Sequence, residues 1–242
     1  MEALIAESLS KTFDKLVFSD VNLSLKKGEF VSILGRSGCG KTTLLEVLAG
    51  LQAPTQGGVR YADNTKPPVL VFQEFNRSIF PWLTVEGNMD FMTRRYYPAN
   101  EFKEATRAYL EIVGLDSHRT KYPFQLSGGM KQRLGFARAL SIKPDTLLLD
   151  EPLGSLDAST RRNLQLLFQD IYTKFKPSVV LVTHDVDEAL FLSQRIYLMG
   201  GEPARFIDEV VVPDEYPRNY LDHTNSSGYL RARHHLLEAL MQ

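Results

Sequence analysis

The stretch "EFVSILGRSGCGKTTLLEVLAG", residues 29–50, joins an apolar run to an amphipathic one through a loop rich in glycine. Residues 29–35 read as a buried strand, and 41–51 as the helix after it, ending near Gly50 and before Pro54. Between them "GRSGCGKT" fits G-x-x-x-x-G-K-[ST], and strand before and helix after are the context that makes this pattern a phosphate cradle. Backbone N–H groups from Gly38 to Thr42 wrap a phosphate, Lys41 reaches its neighbouring oxygens, and the Thr42 hydroxyl suits Mg²⁺. Cys39 lies inside this loop and reads as a small residue lending its backbone, not as a redox group.

Working outward, further short apolar runs stand at 68–73, 146–152, 178–184 and 195–199, separated by amphipathic segments. That alternation predicts an α/β protein with a mainly parallel sheet. The stretch from Gln73 to Thr146 is too long for a simple crossover, and 100–115 has apolar residues at helical spacing with a closing glycine. Residues of about 82–130 are therefore expected to form an inserted helical subdomain. After Gly200 regularity fades: 210–228 are turn-rich and 229–241 suggest a short terminal helix.

Composition narrows the function. The chain has 242 residues, 43% of them hydrophobic, with a formal net charge of −1, which allows a well-buried core and argues against a general nucleic-acid binder. Cys39 is the single cysteine, so no internal disulfide framework exists. No run approaches the roughly 20 apolar residues needed to cross a bilayer, and the first residues lack a signal-peptide pattern. A soluble, cytoplasmic chain is expected.

A second anion-binding pattern stands far from the first. "QLSGGMKQR", 125–133, places Ser127, Gly128 and Gly129 before a helical run, where a serine cap and free N–H groups suit a phosphate. "TLLLDE", 146–151, ends a buried strand in two carboxylates facing different ways: Asp150 suits Mg²⁺ through water, and Glu151 can orient or deprotonate an attacking water. His184 and Gln73 each end a predicted strand, where α/β sheets gather ligands. His184 is read as a contact to a terminal phosphate, and Gln73 as a contact to Mg²⁺ or the water. His234 and His235 are adjacent on a helix and face different ways, so they are read as solvated and not as a metal site.

These motifs, in this order and with "GSLD" at 154–157, resemble the ATP-binding subunits of ABC transporters over about residues 1–200. The resemblance implies a P-loop NTPase (RecA-like) fold: a mainly parallel core from 1–81 and 131–205, an antiparallel β part, the helical insertion at 82–130 and a tail at 206–242. It implies ATP and Mg²⁺ as ligands, with Gly35, Arg36, Ser37, Gly38, Cys39, Gly40, Lys41, Thr42 and Thr43 around the phosphates. Phe13 would lie against adenine, and Thr42, Gln73 and Asp150 near the metal. Glu151 and His184 would be catalytic. Gln125, Ser127, Gly128, Gly129 and Asp157 would complete the site of a second copy in a head-to-tail homodimer, which explains two cradles of which only one has a lysine in its loop.

Finer features, "RSIFPWLTVEGN", "YPFQLSGGMKQR", "DASTR" and "PDEYPRN", are similar to nitrate, sulfonate and taurine importers. Permease subunits and, indirectly, a solute-binding protein are the implied partners, with the chain at the cytoplasmic face of the membrane, no nucleic acid involved, and Phe80-Pro81-Trp82 lining a groove for a permease helix. Arg36 departs from the group's usual proline, and Ser193-Gln194 from its usual Ala-Asp. A non-transport ABC ATPase of the iron–sulfur assembly kind is the alternative.

Overall fold

The computed structural model describes residues 1–62, 66–72, 78–154 and 156–241. In chain order the elements are β1 (Glu2–Thr12), β2 (Leu16–Lys26), β3 (Phe30–Gly35), α1 (Lys41–Leu48), β4 (Gln56–Tyr61), β5 (Val69–Val71), α2 (Val85–Tyr96), α3 (Phe102–Ile112) and α4 (Gly128–Ser141). They continue with β6 (Thr146–Asp150), α5 (Ala158–Phe175), β7 (Ser178–Thr183), α6 (Val186–Leu192), β8 (Arg195–Gly200), β9 (Arg205–Val211), α7 (Tyr220–Asn225) and α8 (Ser227–Met241). Two compact units result, one of Met1–Leu70, Asp145–Glu151 and Tyr172–Gln242, the other of Val71–Pro144 and Pro152–Ile171.

The first unit is built on a six-stranded sheet in the order β5-β6-β7-β3-β8-β9 and a three-stranded sheet in the order β2-β1-β4. Strands β3, β6 and β7 are buried at every residue, as parallel strands covered on both faces must be. β3 pairs in parallel with β7 on one side and β8 on the other. Its neighbours in space thus lie about 150 residues along the chain.

The small sheet is antiparallel, and inward residues such as Leu4, Leu9, Phe18 and Leu25 share one core with Leu44, Leu45 and Leu48 of α1. A second core gathers Leu34 and Leu198 with residues of α6 and α8.

The expectation that order fades after Gly200 is corrected by β9, which pairs antiparallel with β8 as an edge strand. Its sequence hid it: Ile207 and Val211 are exposed while Asp208 is half-buried, so chemistry and face do not alternate together. The run at 68–73 is shorter than expected, with Val69–Val71 as its strand.

The second unit is helical around a buried polar knot. Asn88, fully buried on α2, donates its amide to the carbonyls of Phe80, Leu83 and Thr84 and accepts from the Phe80 N–H at 2.8 Å. Arg138 of α4 donates to the Asn88 side chain at 2.8 Å, and burial holds its guanidinium down to about 10. Phe136 of α4 packs on Phe168 of α5 with centroids 4.3 Å apart.

Candidate phosphate-binding and hydrolytic site

The loop from Gly35 to Thr42 is shaped by its glycines. Gly38 and Gly40 adopt φ of 83° and 97°, a left-handed backbone that side chains disfavour, and a Cβ on Gly40 would stand 2.6 Å from a methyl of Val17. This turn feeds directly into α1, whose first N–H groups have no partners within the helix.

Lys41 is buried, and its ammonium donates to the carbonyls of Gly35 at 2.8 Å and Arg36 at 2.9 Å. These bonds hold the charge inside the loop, 3.6 Å from a carboxylate oxygen of Glu151. A buried cation so placed, in reach of carbonyls it can exchange for a polyanion, is a phosphate ligand in waiting.

The sheet's C-terminal edge supplies the acids. Asp150, the last residue of β6, is buried and accepts from the Thr42 hydroxyl at 3.2 Å; burial raises its carboxyl above the ordinary range, against the opposing pull of Thr42 and Lys41. Glu151 follows with φ of 41°, a conformation rarely tolerated outside glycine, held by its N–H donating to the Val182 carbonyl at 2.9 Å. One oxygen of its carboxylate lies by Lys41 and the other 3.0 Å from Nδ1 of His184, which follows β7. Lys41, Thr42, Asp150, Glu151 and His184 are therefore one cluster, assembled from three segments of the sequence.

A hydroxyl and a carboxylate in contact are hard oxygen donors, the pair that fits Mg²⁺, which takes few protein ligands and completes its shell with water and substrate phosphates. Among the described residues no group of three or more His, Cys, Asp or Glu could hold a metal alone.

Phe13 lies in the turn between β1 and β2, more than half exposed, with the Lys11 ammonium 4.8 Å from its ring centre. A cleft of about 740 Å³ opens beside the loop, with Lys15, Val17, Arg36, Gly38, Ala239 and Leu240 among its walls. Gln73 lies outside the described residues.

The remaining candidates belong to the second unit. Ser127 caps α4, its hydroxyl accepting from the Met130 N–H at 3.3 Å, and Gly128 and Gly129 form the first turn. A Cβ on Gly129 would come within 2.6 Å of the Thr160 methyl, so packing alone demands glycine there. Gln125 turns its side-chain oxygen to the Tyr122 N–H at 2.8 Å. Asp157 accepts from the N–H groups of Ser159 and Thr160, and the bonds from Thr160 and Ser159 hold its carboxyl well below the usual range. His234 and His235 pair with Glu238 and Asp208.

Sequence reasoning passed over one contact. The Arg36 guanidinium donates to the carbonyl of Leu240 near the end of α8, at 2.6 Å and 204 positions away. The departure from proline at position 36 was the only sign of it.

A glycine loop that holds a buried lysine against the acids at a parallel sheet's edge defines a nucleotide-phosphate hydrolase of the P-loop type. The ABC transporter family model matches residues 18–154, and the chain belongs to that family of ATPases. It is 41% identical over 235 residues to the nitrate import ATP-binding protein NrtD of Synechococcus elongatus, covering 93% of this chain and 85% of that protein. The aliphatic sulfonates import ATP-binding protein SsuB of Bacillus cereus is 40% identical over 242 residues, covering 95% and 92%. The bicarbonate transport ATP-binding protein CmpC of Synechococcus elongatus is also 40% identical, but this chain spans only 38% of its length. Among solved structures, the dimeric post-hydrolysis state of the ATP-binding cassette MJ0796 bound to ADP and Pi superposes with a TM-score of 0.75 at 30% identity, over 88% of this chain and all of that one.

Proposed function

We propose that this chain is the ATP-hydrolysing subunit of an importer for a small anion or organic solute of the nitrate, sulfonate and taurine type, working as a head-to-tail homodimer beneath permease subunits at the cytoplasmic face of the membrane. The observation that carries the reading is the Lys41–Glu151–His184 cluster on the phosphate loop, in a chain about 40% identical to import ATP-binding proteins for nitrate and aliphatic sulfonates. No described helix is long and apolar enough to cross a membrane. Trp82 is 70% exposed, 5.4 Å from the Phe80 ring, and Phe91 stands beside them. That aromatic surface suits a permease helix.

In this reading Lys41 exchanges the carbonyls of Gly35 and Arg36 for phosphate oxygens, and the loop N–H groups hold the β-phosphate. Thr42 and Asp150 would hold Mg²⁺, which supplies charge neutralisation on the phosphates. Glu151 accepts a proton from water as the water oxygen bonds to the terminal phosphorus and the bond to ADP breaks. His184 fixes the Glu151 carboxylate and faces the leaving phosphate. The signature around Ser127 closes over the nucleotide of the other copy.

Glu151→Gln keeps the shape and removes the basic oxygen. Turnover should fall about 10²–10⁴-fold, about 3–5 kcal/mol of barrier, while ATP stays bound and the protein elutes as an ATP-dependent dimer in size-exclusion chromatography. Undiminished turnover would remove Glu151 from the mechanism, and a strictly monomeric ATP-bound form would remove the dimer.

A further inference from the structure

Arg36 carries two links at once. Its guanidinium donates to the Leu240 carbonyl at 2.6 Å, and its own carbonyl accepts from the Lys41 ammonium at 2.9 Å and from the Cys39 N–H at 3.4 Å. The last turn of α8 is thereby joined to the lysine of the phosphate loop through a single residue. Ala239 and Leu240 also wall the 740 Å³ cleft beside that loop. The end of a helix carries partial negative charge from its unsatisfied carbonyls, and here it engages a cation placed at the edge of an anion site.

We infer that Arg36 is a positioning residue that makes the end of α8 respond to nucleotide: phosphate in the loop draws Lys41 off the Arg36 carbonyl and competes for the guanidinium, so that the last turn of α8 is released. The inference rests on the reading of Gly35–Thr43 as the phosphate cradle. Phosphate oxygens bind a guanidinium more strongly than one neutral carbonyl does, and they occupy the Lys41 donors that fix the Arg36 peptide. The coupling is reciprocal, because whatever nucleotide does to the grip on α8, that grip does to nucleotide affinity.

Hydrogen exchange followed by mass spectrometry, with ADP as the probe, separates this effect from ATP-driven dimerisation. In the unaltered chain ADP should slow exchange in the loop and speed it at residues 237–241. Arg36→Ala should show fast exchange at 237–241 with or without ADP, and Arg36→Lys, which keeps a donor, should restore part of the response. Ala239→Pro, which breaks the last turn, should raise ADP affinity roughly threefold, as a helix-terminus charge interaction would predict, and should do nothing further in Arg36→Ala. Slowed exchange in the loop with no change in α8 overturns the inference and leaves the nucleotide site standing. Absence of any slowing in the loop overturns the phosphate-cradle reading itself, and this inference with it.

Discussion

Glu151 sits on a backbone that costs about 1–3 kcal/mol for a residue with a Cβ. Such a conformation persists because Val182 holds the N–H and because Lys41 and His184 hold the carboxylate. A strained residue paired on both carboxylate oxygens is a preorganised one, its charge already held in place beside Lys41. Asn88 presents the opposite case, a polar residue whose work is structural. It anchors the segment before α2 through four hydrogen bonds and receives a fifth contact from buried Arg138. Asn88→Ala would take the side-chain partner from the Leu83 carbonyl and the Phe80 N–H and one of two Asn88 acceptors from the buried Arg138 guanidinium, while the Phe80 and Thr84 carbonyls keep the Leu83 and Asn88 N–H groups, and should destabilise the second unit by about 2–3 kcal/mol. Urea unfolding monitored by Trp82 fluorescence should register the loss. A midpoint unchanged from the parent chain would show that water replaces the network at no cost.

Among the elements, the strands of the central sheet were legible because burial on both faces leaves unbroken apolar runs: 146–150, 178–183 and 195–200 match their predicted positions within a residue or two. The phosphate loop was legible for a different reason, since its left-handed turns at Gly38 and Gly40 and its lysine leave a short local pattern that needs no distant partner to be read. What stayed hidden depended on distant partners. Nothing near Ser127 announced that Gly129 is also demanded by the Thr160 methyl, and nothing in the tail announced that α7 would be pinned through a histidine. His223 is buried between the rings of Phe191 and Tyr229, with Nδ1 2.6 Å from Asp214. Burial pushes its pKa below the usual histidine value; Asp214 opposes the shift and Arg218 adds to it. In the folded chain it therefore binds a proton less readily than in the unfolded one. Its contribution to stability is present above about pH 6.5 and is lost as pH falls through the lower folded value. Urea midpoints measured at pH 7.5 and 5.5 should drop on acidification, and His223→Gln should flatten the drop. An equally steep pH dependence in that variant would assign it to other groups.

At the scale of the whole molecule, the proposed dimer explains why one chain carries two phosphate cradles. Lys41→Ala and Ser127→Arg damage different cradles. In a mixed dimer with sites shared across the interface, both lesions fall in one site and leave the other intact. With sites built within one chain, both stay damaged. With Glu151→Gln added to stop turnover, isolated mixed dimers should occlude about one ATP by site counting, because charge and bulk at position 127 block only the helix start they occupy. Near-zero occlusion in stable mixed dimers would return each signature to its own chain.

The position of β3 at the centre of its sheet has a consequence for how the protein is made. On the ribosome, residues 1–61 already contain the whole three-stranded antiparallel sheet and can pair as they emerge. The strand that launches the phosphate loop cannot do the same, because its partners β7 and β8 begin at Ser178 and Arg195. At about 5–20 residues per second of synthesis, the loop waits roughly ten seconds or more for its neighbours, its apolar strand unpaired meanwhile. A nascent chain stalled near residue 150 therefore has the complete "GRSGCGKT" motif but neither of the strands that flank β3 in the finished sheet. Competence to bind phosphate is acquired late and in a single event, when the polypeptide returns to flank a strand laid down near its start.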